Sequence, residues 1–295
     1  MSALDAKGRP SQGFLGDATA EAVRLAHAAG AELLRQRQAG AAAQAEAKAV
    51  RRELVTAADR AAERIVVGGL QRAFPSHAVL AEEGELTTQG EPSSASDWLW
   101  IVDPLDGTTN FVHDVPFYCV AMALAYRGRP VVGVVHAPAL GETFFGWQGG
   151  GARRRFAAGG EQQLQVTETA AFADALLATG FSYNRNETGR DDNTGNVTRV
   201  LPHCRDLRRL GSAELDLCLV AAGSFDGYWE RYLQPYDVAA GALLVQEAGG
   251  RVTDFGDGDD WLFGDSVIAS NGHLHQELRG YLDMPADRAE QAKKP

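Results

Sequence analysis

The chain has 295 residues, of which 45% are hydrophobic, enough apolar material for one large domain or two joined lobes around a buried core. A net charge of −11 makes the general surface repel polyanions. It argues against broad nucleic-acid or anionic-membrane binding, and phosphate chemistry on such a chain calls for bound cations that invert the local sign.

Residues 1–16, small and polar with Gly and Pro, read as a loose leader. Ala22, Leu25, Ala26, Ala29, Leu33 and Leu34 recur at helical spacing, which predicts an amphipathic helix from Asp17 to Arg37 with Asp17 as its cap. The Ala-rich stretch 38–50 reads as a mobile connection. A second helix is expected from Thr56 to Phe74, with Asp59 in its first turn. Strands follow at Ala78–Ala81, Leu99–Val102, Tyr118–Tyr126, Pro130–Ala137 and Thr143–Trp147, with Arg127-Gly128-Arg129 as a tight antiparallel turn. Glu85–Asp97 and Gly149–Gly160 read as exposed loops. The second half alternates: strand Ala175–Thr179, helix 190–201, strand 206–209, helix Ser212–Ala222, strand Ser224–Trp229, helix Tyr236–Ala248, strands Arg251–Thr253 and Ser266–Ala269, and helix 273–281. Residues 285–295 read as a charged tail. Cys119, Cys204 and Cys218 lie far apart in apolar stretches and read as reduced thiols. With no apolar run of about 18 residues and no basic-then-apolar N-terminus, the expectation is a soluble, cytoplasmic protein without membrane contact.

One segment concentrates chemistry. The apolar strand Leu99-Trp100-Ile101-Val102 delivers Asp103 at its C-terminal end, and Asp106 follows across a turn restrained by Pro104. Two carboxylates and the carbonyl of Leu105 then offer hard oxygen ligands in an incomplete set, which suits Mg²⁺. Gly107-Thr108-Thr109 reads as a helix start whose N–H groups face a phosphate. Glu82 and Glu83 end the preceding strand, and Asp237 opens a later helix.

The strings Leu54–Asp59, Glu82-Glu83, Val102–His113, Gly211-Ser212-Ala213, Gly227–Glu230 and Asp237–Gly241, in this order along the chain, resemble the inositol monophosphatase family from about residue 17 to 282. The resemblance implies an α/β (α+β) fold, a layered αβαβα sandwich of the sugar-phosphatase type. It would form one catalytic unit with lobes at about 17–165 and 166–282 and flexible termini at 1–16 and 285–295. It also implies that Glu82, Asp103, the Leu105 carbonyl, Asp106 and Asp237 hold two or three Mg²⁺ ions, and that Asp59, Glu82 and Thr108 orient the attacking water. By the same resemblance Gly107 and Thr108 bind phosphate, Ala213 and Glu230 contact the substrate, Lys48 stands on a loop near the site, and a homodimer forms. The implied reaction is hydrolysis of a small phosphorylated polyol, myo-inositol monophosphate first. Histidinol phosphate, fructose 1,6-bisphosphate or a nucleotide 3′-phosphate are rival substrates, and a metal-binding regulatory protein is a rival of another class. Departures from the family pattern are Ala81, Asp114 and Tyr236 in place of Gly, Gly and Trp, and Arg153-Arg154-Arg155 after Gly151. That run and Arg208-Arg209 are read as solvated faces, with an anion site as the alternative. His113 is expected to brace the cradle by hydrogen bonding.

Overall fold

The computed structural model describes residues 2–39, 46–47, 54–84, 97–183 and 192–282. Helix α1 runs Gln12–Gln38, starting before the expected Asp17 because Ser11 caps it, its hydroxyl accepting from the Phe14 N–H at 3.4 Å. Residues 12–16, expected in a loose leader, are therefore its first turns. Its buried stripe of Leu15, Ala18, Ala22, Leu25, Ala26, Ala29 and Leu33 follows the helical period. A two-stranded ribbon, β1 (Glu46–Ala47) and β2 (Leu54–Val55), leads into α2 (Ala57–Ala73).

A seven-stranded sheet comes next: β3 (Ala78–Ala81), β4 (Trp98–Asp106), β5 (Cys119–Tyr126), β6 (Arg129–Ala137), β7 (Glu142–Trp147), β8 (Gly151–Phe156) and β9 (Glu161–Gln163). The short helix α3 (Thr108–Val112) separates β4 from β5. Only β3 and β4 pair in parallel; the rest is an antiparallel meander. Half of the segment Gly149–Gly160, expected as an exposed loop, is strand β8. Its arginines are tied down: Arg154 pairs with Glu142 and Arg155 with Glu161 at 3.1 Å, while all three guanidinium groups lie over aromatic rings of the neighbouring β7. A loop reading failed there because arginine stems cover apolar rings as well as any aliphatic side chain.

The second sheet, in the order β11 (Asp206–Arg208), β10 (Leu176–Thr179), β12 (Gly227–Arg231), β14 (Ser266–Ser270) and β13 (Arg251–Thr253), mixes parallel and antiparallel pairs. Helices α4 (Thr194–Val200), α5 (Ala213–Ala221), α6 (Ala239–Glu247) and α7 (His275–Tyr281) complete the chain.

Three apolar clusters make five layers. Val120, Met122 and Leu124 of β5 face α1 and α2, whereas Cys119, Ala121, Ala123 and Ala125 face α5 and α6. Both faces of the antiparallel sheet are thus buried, which is why its strands read as continuous apolar runs. The face toward α6 is built of small residues, so the helix comes close. At Gly133 an added Cβ would meet the Ala240 carbonyl oxygen at 2.7 Å. The second sheet covers the far side of α5 and α6 and packs its outer face on α4 and α7 through Leu177, Trp229, Ile268 and Leu278. The architecture is the αβαβα sandwich. No helix among the described residues is long and apolar enough to cross a membrane. Cys119 and Cys218 are buried and all three cysteines are free thiols.

His275 is enclosed at the start of α7, with its ring nitrogens 2.9 Å from Thr253 Oγ1 and 2.9 Å from Ser270 Oγ, and burial pushes its pKa down to about 4. The unfolded chain therefore takes up the proton first. This group's share of stability is intact above the ordinary imidazole pKa of about 6.5 and is lost as pH falls from there toward about 4. The loss should approach roughly 3 kcal/mol. Urea unfolding at pH 7 and pH 4.5 is expected to give a shallower pH slope for His275→Gln than for the unsubstituted protein; parallel slopes would contradict the assignment.

Candidate active site

The site begins with a bulge. Asp103 pairs with Ala121 and Asp106 with Cys119, so β4 carries one more residue than β5 over this step. In a regular strand, positions three apart point to opposite faces; the extra residue at Pro104-Leu105 puts both carboxyls on the face toward α5 and α6. Proline suits the bulge because it has no N–H to give to the ladder. Asp103 is buried, and its Oδ1 accepts from the Leu105 N–H at 2.9 Å. Three donors converge on the other carboxyl: Asp106 Oδ2 accepts from Ser212 Oγ at 2.6 Å and from the Glu214 N–H at 2.8 Å, with the Cys119 thiol at 3.7 Å. The start of α5 thereby fixes one oxygen of Asp106. Gly107 has a φ of +93°, and a Cβ there would meet the Phe117 carbonyl oxygen at 3.0 Å, so the turn into α3 requires glycine.

Asp59 serves two purposes. Thr56 and Asp59 form the capping box of α2, in which Asp59 Oδ2 accepts from the Thr56 N–H at 2.8 Å and from its hydroxyl at 2.5 Å. Its Oδ1 lies 3.1 Å from the Thr108 hydroxyl, which also stands 3.1 Å from the Leu105 carbonyl oxygen. Burial raises the pKa of Asp59 despite the Thr56 hydrogen bonds that lower it.

Glu82 follows β3 and extends its pairing, its N–H donating to the Val102 carbonyl at 3.2 Å. Asp237 is half-buried in the turn before α6, and its Oδ2 accepts from the Gln234 N–H at 2.6 Å. Glu82, Asp106, Ala213, Glu230 and Asp237 line one cavity of about 190 Å³. Asp103 does not line it, yet it is felt there. Burial first, then the charges of Glu82, Asp106 and Asp237, hold the Asp103 carboxyl well above the usual range, and Asp237 is raised by burial and by Glu82 in turn.

Such a donor set fits a divalent cation. Carboxyl groups that raise one another, next to a main-chain carbonyl, are hard oxygen donors whose repulsion a dication removes. Among the described residues no three Asp, Glu, His or Cys side chains form a finished cage. Mg²⁺ does not demand one, since it keeps waters and substrate oxygens as ligands.

Glu230 is 7% exposed at the far wall, and burial lifts its pKa to about 7 even though the Tyr228 hydroxyl donates to its Oε2. Gly180 leaves the room it occupies: a Cβ at Gly180 would sit 1.9 Å from Glu230 Oε2.

The family model for the inositol monophosphatase family matches residues 16–283. The chain belongs to the inositol monophosphatase family. It is 41% identical over 227 residues to an inositol-1-monophosphatase of Synechocystis, covering 77% of this chain and 75% of that protein. It is equally similar to a Nus factor SuhB of Pseudomonas aeruginosa, at 42% over 228 residues, 77% of this chain and 82% of that one. The solved inositol monophosphatase of Anabaena superposes with a TM-score of 0.79 at 37% identity, over 90% of this chain and 95% of that chain.

The departure at Asp114 is accommodated. Asp114 adopts the left-handed φ of +63° that a glycine takes without strain, and Arg37 secures it, donating to its carbonyl at 2.8 Å. His113 braces nothing: its ring is exposed and makes no hydrogen bond among the described residues. Only its N–H bonds, to the Thr109 carbonyl. Arg208 pairs with Asp206 at 2.6 Å, whereas Arg209 lines the cavity. Lys48 lies outside the described residues. Residues that sequence reasoning missed are Tyr228, Glu214 and Asp216. The helical step from Ala213 to Asp216 was a signal for the last, since i and i+3 share a face.

Proposed function

We propose that the chain hydrolyses phosphate monoesters of small polyols, myo-inositol monophosphate foremost, with Mg²⁺ at its buried carboxyls. The observation that carries this reading is the crowding of Glu82, Asp103, Asp106 and Asp237 at one end of a cavity whose other wall holds Glu230. Glu82, Asp103, the Leu105 carbonyl, Asp106 and Asp237 would hold the cations. Bound Mg²⁺ supplies neutralisation of the carboxylates and of the phosphate, and acidifies a water for in-line attack.

The chain's own groups do the rest. Thr108, with its hydroxyl proton directed at Asp59 Oδ1, keeps lone pairs that accept a hydrogen from the attacking water and so fix its direction. Asp59 is a competent holder of that proton because burial raises its affinity for one. Glu82, on the cavity wall, is the second acceptor. The N–H groups of Gly107 and Thr108 at the start of α3 take up charge developing on the phosphate. Glu230 accepts from hydroxyls of the leaving alcohol, and Ala213 supports its ring.

Phosphate release from a panel of myo-inositol 1-phosphate, histidinol phosphate, fructose 1,6-bisphosphate, a nucleotide 3′-phosphate and p-nitrophenyl phosphate, with Mg²⁺ and with chelator, tests the reading. Release from none of them would move the regulatory reading ahead. Glu230→Gln is expected to lower kcat/KM for myo-inositol 1-phosphate about 10-fold more than for p-nitrophenyl phosphate, because a carboxylate acceptor is lost only where hydroxyls are read. Equal losses would remove Glu230 from that role. Relatives named Nus factor SuhB match as strongly as those named inositol-1-monophosphatase, so the acidic average charge is no ground for excluding a nucleic-acid partner.

A further inference from the structure

We infer that Asp216 is a second hydroxyl-reading group of the substrate pocket, acting with Glu230 to bind one hydroxyl of the leaving alcohol. The inference rests on the phosphatase reading and adds a specificity residue to it. Asp216 stands one helical step after Ala213 on α5 and lines the same cavity as Glu230, Tyr228 and Arg209. It is 2% exposed, and its Oδ1 is enclosed without a hydrogen-bond partner. Its neighbours Leu215 and Leu217 are buried apolar residues of the same helix. A leucine at 216 would match the shape of the aspartate and remove the desolvation cost of an unpartnered carboxyl. Oδ2 likewise makes no hydrogen bond among the described residues and is not enclosed, so it is the oxygen a ligand in the cavity can reach.

The surroundings select the ligand chemistry. Arg209 makes no hydrogen bond or ion pair among the described residues, but its charge reaches Asp216 and Glu230. That charge disfavours an ammonium in the pocket, and the two carboxyls disfavour a second phosphate. Burial pushes Asp216 up to about 9 and Glu230 to about 7, so of the two Asp216 holds its proton the more firmly and is the hydrogen-bond donor of the pair. Tyr228 already occupies Glu230 Oε2, which leaves Oε1 as the acceptor. A hydroxyl both accepts and donates, and so is matched by such a pair.

The test measures the ratio of kcat/KM for myo-inositol 1-phosphate to that for p-nitrophenyl phosphate in Asp216→Leu, Asp216→Asn and the unsubstituted protein, together with Tm. Asp216→Leu should lower the ratio at least 10-fold, mainly through KM for the polyol ester, while its Tm rises. Asp216→Asn, which still donates and accepts, should recover most of the ratio. An enzyme active on both esters whose ratio does not move in Asp216→Leu overturns this inference alone. An unsubstituted protein that hydrolyses neither overturns the phosphatase reading itself. A fall in Tm with equal loss on both esters assigns Asp216 to the fold and likewise overturns the inference.

Discussion

Asp103→Asn is expected to lower kcat/KM for every phosphate monoester by about 10³-fold, equivalent to about 4 kcal/mol of transition-state stabilisation. The reason is positional. Asp103 lies beneath the cavity rather than in its wall, buried and surrounded by the charges of Glu82, Asp106 and Asp237, so it has no role in touching the substrate. On the proposed reading its value would lie in completing a negative cluster that draws in cations. Asparagine keeps the Oδ1 that accepts from the Leu105 N–H and keeps the shape, but it withdraws one charge. A second readout separates this from a folding defect. Without metal the variant should be at least as stable as the unsubstituted protein, because one source of repulsion is gone. Added Mg²⁺ should raise Tm of the unsubstituted protein and raise that of the variant much less. Undiminished turnover in Asp103→Asn, or turnover indifferent to chelator, would sink the metal mechanism.

Gly133→Val should damage the fold by about 3 kcal/mol or more, with a fall in Tm of roughly 6–12 °C for a chain of this size. The added Cβ would meet main-chain atoms of Ala240, the carbonyl oxygen at 2.7 Å and Cα at 3.3 Å, and a helix backbone cannot turn aside as a flexible side chain can. Sheet and helix must separate, and the separation reaches the site. Glu214 accepts from the N–H groups of Ala240, at 3.0 Å, and Gly241, while its own N–H binds Asp106. Moving α6 therefore disturbs Asp237 just before it and the clamp on Asp106 together. Urea unfolding with activity measured alongside checks both halves. A Gly133→Val protein as stable as the unsubstituted one would show that the close approach does not govern the layering.

The element pattern was legible because long apolar runs and capping residues are local signals. Thr56 and Asp59 announced α2 three positions apart, and Ala78–Ala81 and Arg251–Thr253 begin and end where expected. Two local signals misled. Asp17 has capping chemistry, but Ser11 caps α1 ahead of it; the arginines of β8 hid a strand behind charge that ring contacts and carboxylates absorb.

Sequence alone determined which residue types are available for the site: Asp103, Asp106, Glu82, Asp59, Thr108, Glu230 and Asp237, with Gly107 at a turn no other residue can take. Their convergence belongs to the tertiary structure. Asp103 and Asp106 are an odd number of positions apart, so a plain strand would set them on opposite faces, and the bulge against Ala121 and Cys119 is what turns both toward α5. Asp59 reaches Thr108 across 49 residues only because α2 packs its first turn against the end of β4. Glu230 and Asp216 become one wall only because β12 and α5 meet behind the cavity, where burial changes the proton affinity of both carboxyls. A carboxyl's identity is written in the chain, whereas its charge state depends on neighbours that only folding brings within reach.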